Sequence, residues 1–314
     1  MMNTKAEIGK TGIEINRMGF GAGVVGNTMM YPHVTEEMGR TLIDAVLQQD
    51  IQLIDTAFLY GMGRSEELIG EAIRAFGKRE QLVLSTKASA NIQMTATGIR
   101  VDNRPAALRQ SVEDSLRRLQ TDHLDLFFVH FPNSDTPLHE SAGELDRLRQ
   151  EGKIRAIGAS NLNMAELQDF NADGYMDVFQ TEYSLLNRQA EQQLIPYCLE
   201  HTISVIPIYP LASGLLAGHY TREQTFHDVS RMNNPMFQRE AYLANLERVD
   251  ALKSLASDKQ ISLPQLALAW LLNRPGVDLI IPGATRPDQL ASNMRTLDVV
   301  LSGSDMDQLD ILSR

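Results

Sequence analysis

The sequence predicts an α/β fold, and within that class a closed (β/α)8 barrel, on three observations. Short apolar runs alternate with longer amphipathic ones along the chain, which is the signature of a parallel sheet with crossover helices. Eight such units can be counted, the number that closes a barrel. Two of the runs, LVLSTK (Leu82 to Lys87) and DLFFVH (Asp125 to His130), end in an ionisable residue, as strands do when their C-terminal ends carry chemistry.

Taken in order, the strands are expected at Met18–Gly21, Leu53–Asp55, Leu82–Thr86, Leu124–Val129, Ile154–Ala159, Val178–Thr181, Ser204–Ile208 and Leu279–Ile281. The helices are expected at Thr35–Gln49, Ser65–Phe76, Arg104–Leu119, Pro137–Glu151, Met164–Asn171, Ala190–His201, Gln238–Asp258 and Pro287–Leu301. The clearest is Arg104–Leu119, where Leu108, Val112, Leu116 and Leu119 recur at helical spacing and Pro105 suits the first turn. Three pieces lie outside the eightfold pattern. Lys5–Ile8 and Ile13–Asn16 flank the turn Gly9-Lys10-Thr11-Gly12 and read as an N-terminal β-hairpin capping the barrel floor. Leu263–Asn273, with Pro264 at its start, and Asp305–Leu312 read as extra C-terminal helices. Thr221–Pro235 has no clear periodicity and is expected to be a long surface loop. No Gly/Ser- or Pro-rich linker divides the chain, so residues 1–314 are expected to form a single domain.

Composition narrows the function classes. A net charge of −11 argues against a general nucleic-acid binder and against an anionic membrane surface. No apolar stretch approaches the ~18 residues of a membrane span. The lone Cys198 reads as a buried inert thiol, and with no apolar leader in MMNTKAEIGK the expected compartment is a reducing cytoplasm. The histidines show no metal-ligand spacing, so no metal is expected.

Asp55, Tyr60, Lys87 and His130 all fall at or just after predicted strand ends. Singly, each has an ordinary structural reading: a turn former, a packed loop aromatic, a snorkelling amine, a core histidine. Together at one rim they assemble a phenol, an ammonium, a carboxylate and an imidazole, the parts of a tunable proton donor. A free phenol, with its pKa near ~10, is a poor acid at neutral pH, and Lys87 beside it is expected to lower the Tyr60 pKa while Asp55 holds the lysine.

These residues also carry a resemblance. Asp55, Tyr60, Gly61, Gly63, Ser65 and Glu66 form D-x4-Y-G-x-G-x-S-E, followed by Thr86-Lys87, His130, Gly158-Ala159-Ser160-Asn161, Phe179-Gln180, Ser184-Leu185 and IPGATRPDQLASN (Ile281 to Asn293). From about Met18 to Asn293 the chain resembles the aldo-keto reductase family, and its bacterial members most. The resemblance implies a (β/α)8 barrel and NAD(P)H-dependent reduction of a small carbonyl substrate, with Tyr60 as proton donor, Asp55 and Lys87 supporting it, and His130 orienting the carbonyl. It also implies a cofactor site drawn from Gly21, Ala22, Asp55, Ser160, Asn161, Gln180, Ile208, Tyr209, Pro210, Leu211, Gly214, Gly283, Thr285, Arg286, Gln289 and Asn293. Within it, Ser160, Asn161 and Gln180 resemble the residues that hold the nicotinamide carboxamide, and Pro210–Gly218 the loop over the pyrophosphate. Arg286, just before the helix starting at Pro287, is placed to read a 2′-phosphate, so NADPH is the expected cofactor.

The chain departs from the family pattern twice. Ile208 stands where many members place an aromatic against the nicotinamide, with Tyr209 next to it. GAGVVGN (Gly21 to Asn27) lacks the tryptophan common in the first βα loop, leaving Met29, Met30 and Tyr31 as an adaptable substrate mouth. Three other readings stay open from the sequence: a redox sensor that binds NADP without turnover, an NAD-dependent alcohol dehydrogenase, and a barrel hydrolase that needs no nicotinamide.

Overall fold

A computed structural model describes residues 4–49, 51–88, 92–95, 98–132 and 135–314. Eleven strands are found among the described residues. β1 (Lys5–Glu7) and β2 (Glu14–Asn16) form the expected antiparallel hairpin. β3 (Phe20–Gly21), β4 (Leu53–Asp55), β5 (Val83–Ala88), β8 (Leu124–Val129), β9 (Ile154–Ser160), β10 (Val178–Glu182) and β11 (Ser204–Ile208) form one all-parallel sheet in that order. β6 (Gln93–Thr95) and β7 (Gly98–Arg100) make a second antiparallel pair after β5 that the periodicity did not reveal. The helices are α1 (Glu36–Gln48), α2 (Arg64–Phe76), α3 (Pro105–Leu119), α4 (Leu138–Gln150), α5 (Met164–Phe170), α6 (Leu194–Glu200), α7 (Val229–Met232), α8 (Arg239–Asp258), α9 (Leu263–Leu272), α10 (Pro287–Met294) and α11 (Gly303–Leu312).

The eighth strand expected at Leu279–Ile281 is present only as isolated bridges. Met18 pairs with Ile280, Gly21 with Gly283 and Val205 with Val277, so the segment joins β3 to β11 and closes the barrel. Main-chain bonds from Gly19 N to Ile280 O (2.8 Å) and from Ile280 N to Arg17 O (3.0 Å) hold the seam. Pro282 interrupts the ladder because it has no N–H to donate. The barrel interior is a separate apolar cluster: Leu53, Val83, Leu126, Phe128, Ala156, Val178, Ile206, Leu279 and Ile281 meet Ile8, Ile13 and Ile15 from the hairpin. Lys10 Nζ donates to Gly174 O at 2.6 Å and Gly9 N to Ser204 Oγ at 2.7 Å, which seats the hairpin on the N-terminal ends of the strands as a floor. The opposite rim is left for the site.

Three other expectations change. Ala190–His201 is a short 3-10 turn (Gln189–Glu191) followed by α6, because Pro196 fits only the first turn of a helix. The helix from Pro287 stops at Met294 and tightens into a 3-10 turn over Arg295–Asp298 rather than running to Leu301. The segment Thr221–Pro235 contains α7 and is pinned: Phe226 packs edge-on against Tyr220 and Phe237 at 5.1 and 4.9 Å, and Arg231 Nε donates to Ser213 O at 3.2 Å.

Candidate active site

Strand register gathers the predicted residues. Asp55 pairs with Gly21 on one side and Ser85 on the other, Lys87 lies opposite Phe128, and Gln180 lies opposite Ser160. The ladder thus delivers Asp55, Lys87, Ser160 and Gln180 to one end of the barrel, and His130 follows directly after β8. Lys87 lies inside its strand, since β5 runs one residue past it, so the backbone fixes where its amine reaches.

Asp55 and Lys87 are both buried, and Lys87 Nζ stands 2.6 Å from Asp55 Oδ2. The ammonium also donates to Thr56 O at 2.9 Å. The other carboxylate oxygen of Asp55 accepts from Ser85 Oγ at 2.5 Å and from Gln180 Nε2 at 3.1 Å. Tyr60 sits on the turn after β4, half-buried, with the Lys87 amine 5.4 Å from its ring centre. The Tyr60 and His130 rings meet edge to face, 6.4 Å apart at 88°, and His130 stacks on Phe131 at 4.3 Å. Asn161, in a left-handed backbone conformation, donates through Nδ2 to His130 O and to Ser160 Oγ, both at 3.0 Å.

The turn that carries Tyr60 depends on glycine at two positions. Gly61 has φ +66°, and a Cβ there would lie 2.0 Å from Gly26 O; Gly63 has φ +94° and begins α2. Behind the turn, Thr56 Oγ1 donates to Ser65 Oγ at 2.8 Å, and the carboxylate of buried Glu66 accepts from Thr86 Oγ1 at 2.7 Å and Arg118 Nε at 2.6 Å. The last two residues of the motif therefore bolt α2 to β4 and β5.

The electrostatics differ from expectation at one point. Burial, then the Asp55 carboxylate, then the Tyr31 phenol push the Tyr60 hydroxyl well above the ordinary tyrosine value. The lowering expected from Lys87 does not overcome these effects; its ammonium is paired with Asp55 at 2.6 Å. His130 is held well below the ordinary histidine value by burial and by the Lys87 charge, which keeps the imidazole neutral near pH 7. Lys87 is itself lowered by burial, against the opposing pull of Asp55 and Glu66.

One buried group suits a nicotinamide among the residues expected to hold it. Gln180 is fully buried, its Oε1 has no hydrogen-bond partner, and a carboxamide N–H2 would satisfy it. Ser160 is buried beside it in the ladder. The stretch 209–214 is sharply coiled, with positive φ at Tyr209, Ala212, Ser213 and Gly214, and leaves Tyr209 half-exposed beside Ile208, Pro210 and Leu211. At the far end Arg286 is exposed at the N-terminus of α10, but its guanidinium is already forked to Asp288 at 3.1 and 3.2 Å. Gln289 Oε1 accepts from Thr285 N at 2.7 Å, Asn293 is buried and Gly283 is exposed. Ala22 is buried and its N–H is spent on Asp55 O, so it and Gly21 close the seam and hold Asp55 by its main chain. Two supporting residues escaped sequence reasoning: Ser85, two residues before Lys87 within β5, and Thr56, directly after Asp55; their nearness in sequence to the ionisable pair is the one signal that marks them. Among the described residues no group of histidine, cysteine, aspartate or glutamate could hold a metal, and no helix is long and apolar enough to cross a membrane.

A parallel barrel with a buried aspartate–lysine pair and a tyrosine at its C-terminal rim defines a class, and comparison with known proteins agrees. The chain belongs to the aldo/keto reductase family, whose profile matches residues 17–314. It is 37% identical to the aldo-keto reductase YhdN of Bacillus subtilis over 307 residues, 97% of this chain and 92% of that one. It is 34% identical to the NADH-specific methylglyoxal reductase of Escherichia coli over 316 residues, 96% of this chain and 95% of that one. Among solved structures, a glycerol dehydrogenase from Gluconobacter oxydans superposes with a TM-score of 0.88 at 31% identity, covering 98% of this chain and 94% of that one. An aldo-keto reductase from Klebsiella pneumoniae in complex with NADPH gives 0.75 at 29% identity, covering 100% and 96%. The protein is therefore an oxidoreductase of this family, with nicotinamide-bound structural neighbours.

Proposed function

We propose that this protein reduces aldehydes or ketones to alcohols with a reduced nicotinamide cofactor, Tyr60 supplying the proton. The observation that carries the reading is the buried Lys87–Asp55 pair, with Tyr60 and His130 edge to face beside it. When bound, the cofactor supplies a hydride to the carbonyl carbon. Tyr60 holds a proton throughout the physiological range, and its hydroxyl gives that proton to the carbonyl oxygen as negative charge develops there. The neutral His130 ring offers an N–H to the same oxygen and aligns it. Lys87 stabilises the phenolate left behind, and Asp55, held by Ser85 and Gln180, keeps the ammonium in place. Gln180, Ser160 and Asn161 fit the carboxamide, and the coiled segment 209–214 fits the pyrophosphate. The test is a panel of small aldehydes and ketones followed at the reduced-nicotinamide absorbance band with NADPH and NADH in parallel. Tight NADPH binding without turnover of any carbonyl would favour a sensor instead, and activity without nicotinamide would favour a hydrolase.

NADPH is the proposed cofactor, with Arg286 reading the 2′-phosphate from the start of α10. The relatives divide on this point, since one is named NADH-specific and another structure holds NADPH. Asp288 competes for the same guanidinium, but the pair is exposed and weakly held, so a phosphate can displace it. Arg286→Ala should weaken NADPH about tenfold, the lower end for a charge-assisted contact, and leave NADH nearly unchanged. Asp288→Asn should tighten NADPH. Fluorescence titration of each variant with both cofactors decides; a loss shared equally by NADPH and NADH would remove Arg286 from the phosphate site.

Ile208 offers no π face to the nicotinamide. Ile208→Tyr is expected to tighten cofactor binding by roughly 0.5–1.5 kcal/mol if that face is open. Weaker binding in the same titration would mean that Tyr209 already fills it.

A further inference from the structure

We propose that Gly23 is a specificity-determining residue: by leaving the space beside the Tyr60 hydroxyl unfilled, it admits a second carbon group on the carbonyl carbon, so that ketones are substrates alongside aldehydes. This rests on the functional reading above and narrows the substrate class of the same site.

The backbone does not require glycine at this position. Gly23 lies outside the left-handed region that Gly26, Gly61 and Gly63 occupy. Close packing does not require it either. A Cβ on Gly21 would lie 2.6 Å from Ile281 O, whereas a Cβ on Gly23 would meet only the Tyr60 side chain within 4 Å, with Cζ at 3.8 Å and Cε2 at 4.0 Å. These are ordinary van der Waals distances, so a larger residue fits the backbone and sets its first atom against the hydroxyl end of the proton donor. The turn itself is fixed. Gly23 O accepts from Asn27 Nδ2 at 2.9 Å, Ala22 N donates to Asp55 O at 2.8 Å, and Val25 N donates to Ala22 O at 2.9 Å. Ala22, Val24, Val25 and Asn27 are buried, while Gly23 is half-exposed. The turn is thus anchored on both sides of Gly23, and a side chain added there stays against Tyr60.

The chemistry of the carbonyl gives that space its meaning. An oxygen that accepts from a hydroxyl lies ~2.7 Å from it, with the carbonyl carbon about 1.2 Å beyond. Both groups on that carbon therefore fall within roughly 5 Å of the Tyr60 hydroxyl. An aldehyde brings hydrogen to one of these places, and a ketone brings carbon to both. Lys87 and His130 occupy two other sides of the Tyr60 ring, the amine 5.4 Å and the imidazole 6.4 Å from its centre. The Gly23 side is left for the extra carbon group. A side chain at position 23 would lie in the same shell and compete for that place. The reaction itself is unchanged: hydride to carbon, the Tyr60 proton to oxygen, and a secondary alcohol as product.

The experiment compares isomers: hexanal, butyl methyl ketone and ethyl propyl ketone, which place hydrogen, methyl and ethyl at the second position with composition constant. Steady-state reduction is measured for the unmodified protein, Gly23→Ala and Gly23→Val, together with their melting temperatures. The unmodified protein is expected to turn over every isomer. In Gly23→Val the ratio of kcat/KM for butyl methyl ketone to that for hexanal should fall at least about tenfold, the lower end of what one misfitting methylene does in a pocket. In Gly23→Ala, ethyl propyl ketone should suffer first. Gly23→Ala should not lower the melting temperature, because the backbone accepts a side chain there. Calorimetric titration of butyl methyl ketone into protein carrying the oxidised cofactor, a complex that cannot react, should show weaker binding in Gly23→Val. Equal losses for all the isomers, an unchanged ratio in Gly23→Val, or an unmodified protein that reduces hexanal and neither ketone overturns the proposal. A lowered melting temperature in Gly23→Ala overturns it too, by making the glycine a structural requirement. If no carbonyl turns over, the functional reading fails, and the titration then decides Gly23 by itself: ketone binding that is absent, or that Gly23→Val does not weaken, removes the assignment.

Discussion

Tyr60→Phe is expected to lower kcat for carbonyl reduction by at least ~10²-fold, the usual scale for loss of a general acid, while cofactor affinity stays within about threefold. The substitution removes one oxygen and keeps the ring that lies edge to face with His130 and 5.4 Å from the Lys87 amine, so the packing of the site is retained. The cost falls on the reaction because the lost hydroxyl is carried by the ring that lies beside both Lys87 and His130. Since Tyr60 titrates far above neutrality, the loss should be similar at every pH at which the protein is folded. Steady-state kinetics alongside fluorescence titration of the cofactor measures both terms. Turnover reduced only a few-fold would mean that water or another group delivers the proton.

The second large effect is on stability. Lys87→Met leaves Asp55 buried with no cation beside it, a change that typically costs about 3–5 kcal/mol. Part of that loss comes from the stranded carboxylate rather than from the missing amine. The double variant Asp55→Asn/Lys87→Met removes both charges and should recover more than half of the stability, since a buried pair replaced as a unit is often near neutral. Neither variant should reduce carbonyls at an appreciable rate. Unfolding in denaturant gives the stabilities; a double variant no more stable than Lys87→Met would mean that the pair contributes through packing and not through mutual charge.

The barrel was legible because its strands are buried on both faces and read as short apolar runs, and because α3, α8 and α9 carry strong periodicity or clear start signals. The eighth strand was legible as a run, but its ladder is cut by Pro282, a detail of hydrogen bonding that apolar pattern cannot carry. β6 and β7 escaped because they are three residues each, too short for a periodic pattern to mark them. In the site, Asp55, Lys87 and His130 were visible as ionisable residues ending apolar runs. The direction of the Tyr60 shift was not, because its largest cause is the burial of the hydroxyl, which depends on how the surrounding elements pack. Arg286 was visible at the head of α10, whereas its pairing with Asp288 two residues on is a rotamer choice that the sequence leaves open. Glu66 stood in the quoted motif without a role until its partners on β5 and α3 were seen.

The most direct test of the central claim is where the hydride goes. A reduced nicotinamide carrying deuterium at the transferring position of C4 is incubated with the protein and an aldehyde from the active panel, and the product is examined by mass spectrometry and NMR. Direct reduction predicts one deuterium on the carbinol carbon, one alcohol formed per cofactor oxidised, and loss of both in Tyr60→Phe. Alcohol without deuterium, cofactor oxidation without alcohol, or no reaction in a protein that binds the cofactor tightly would contradict it.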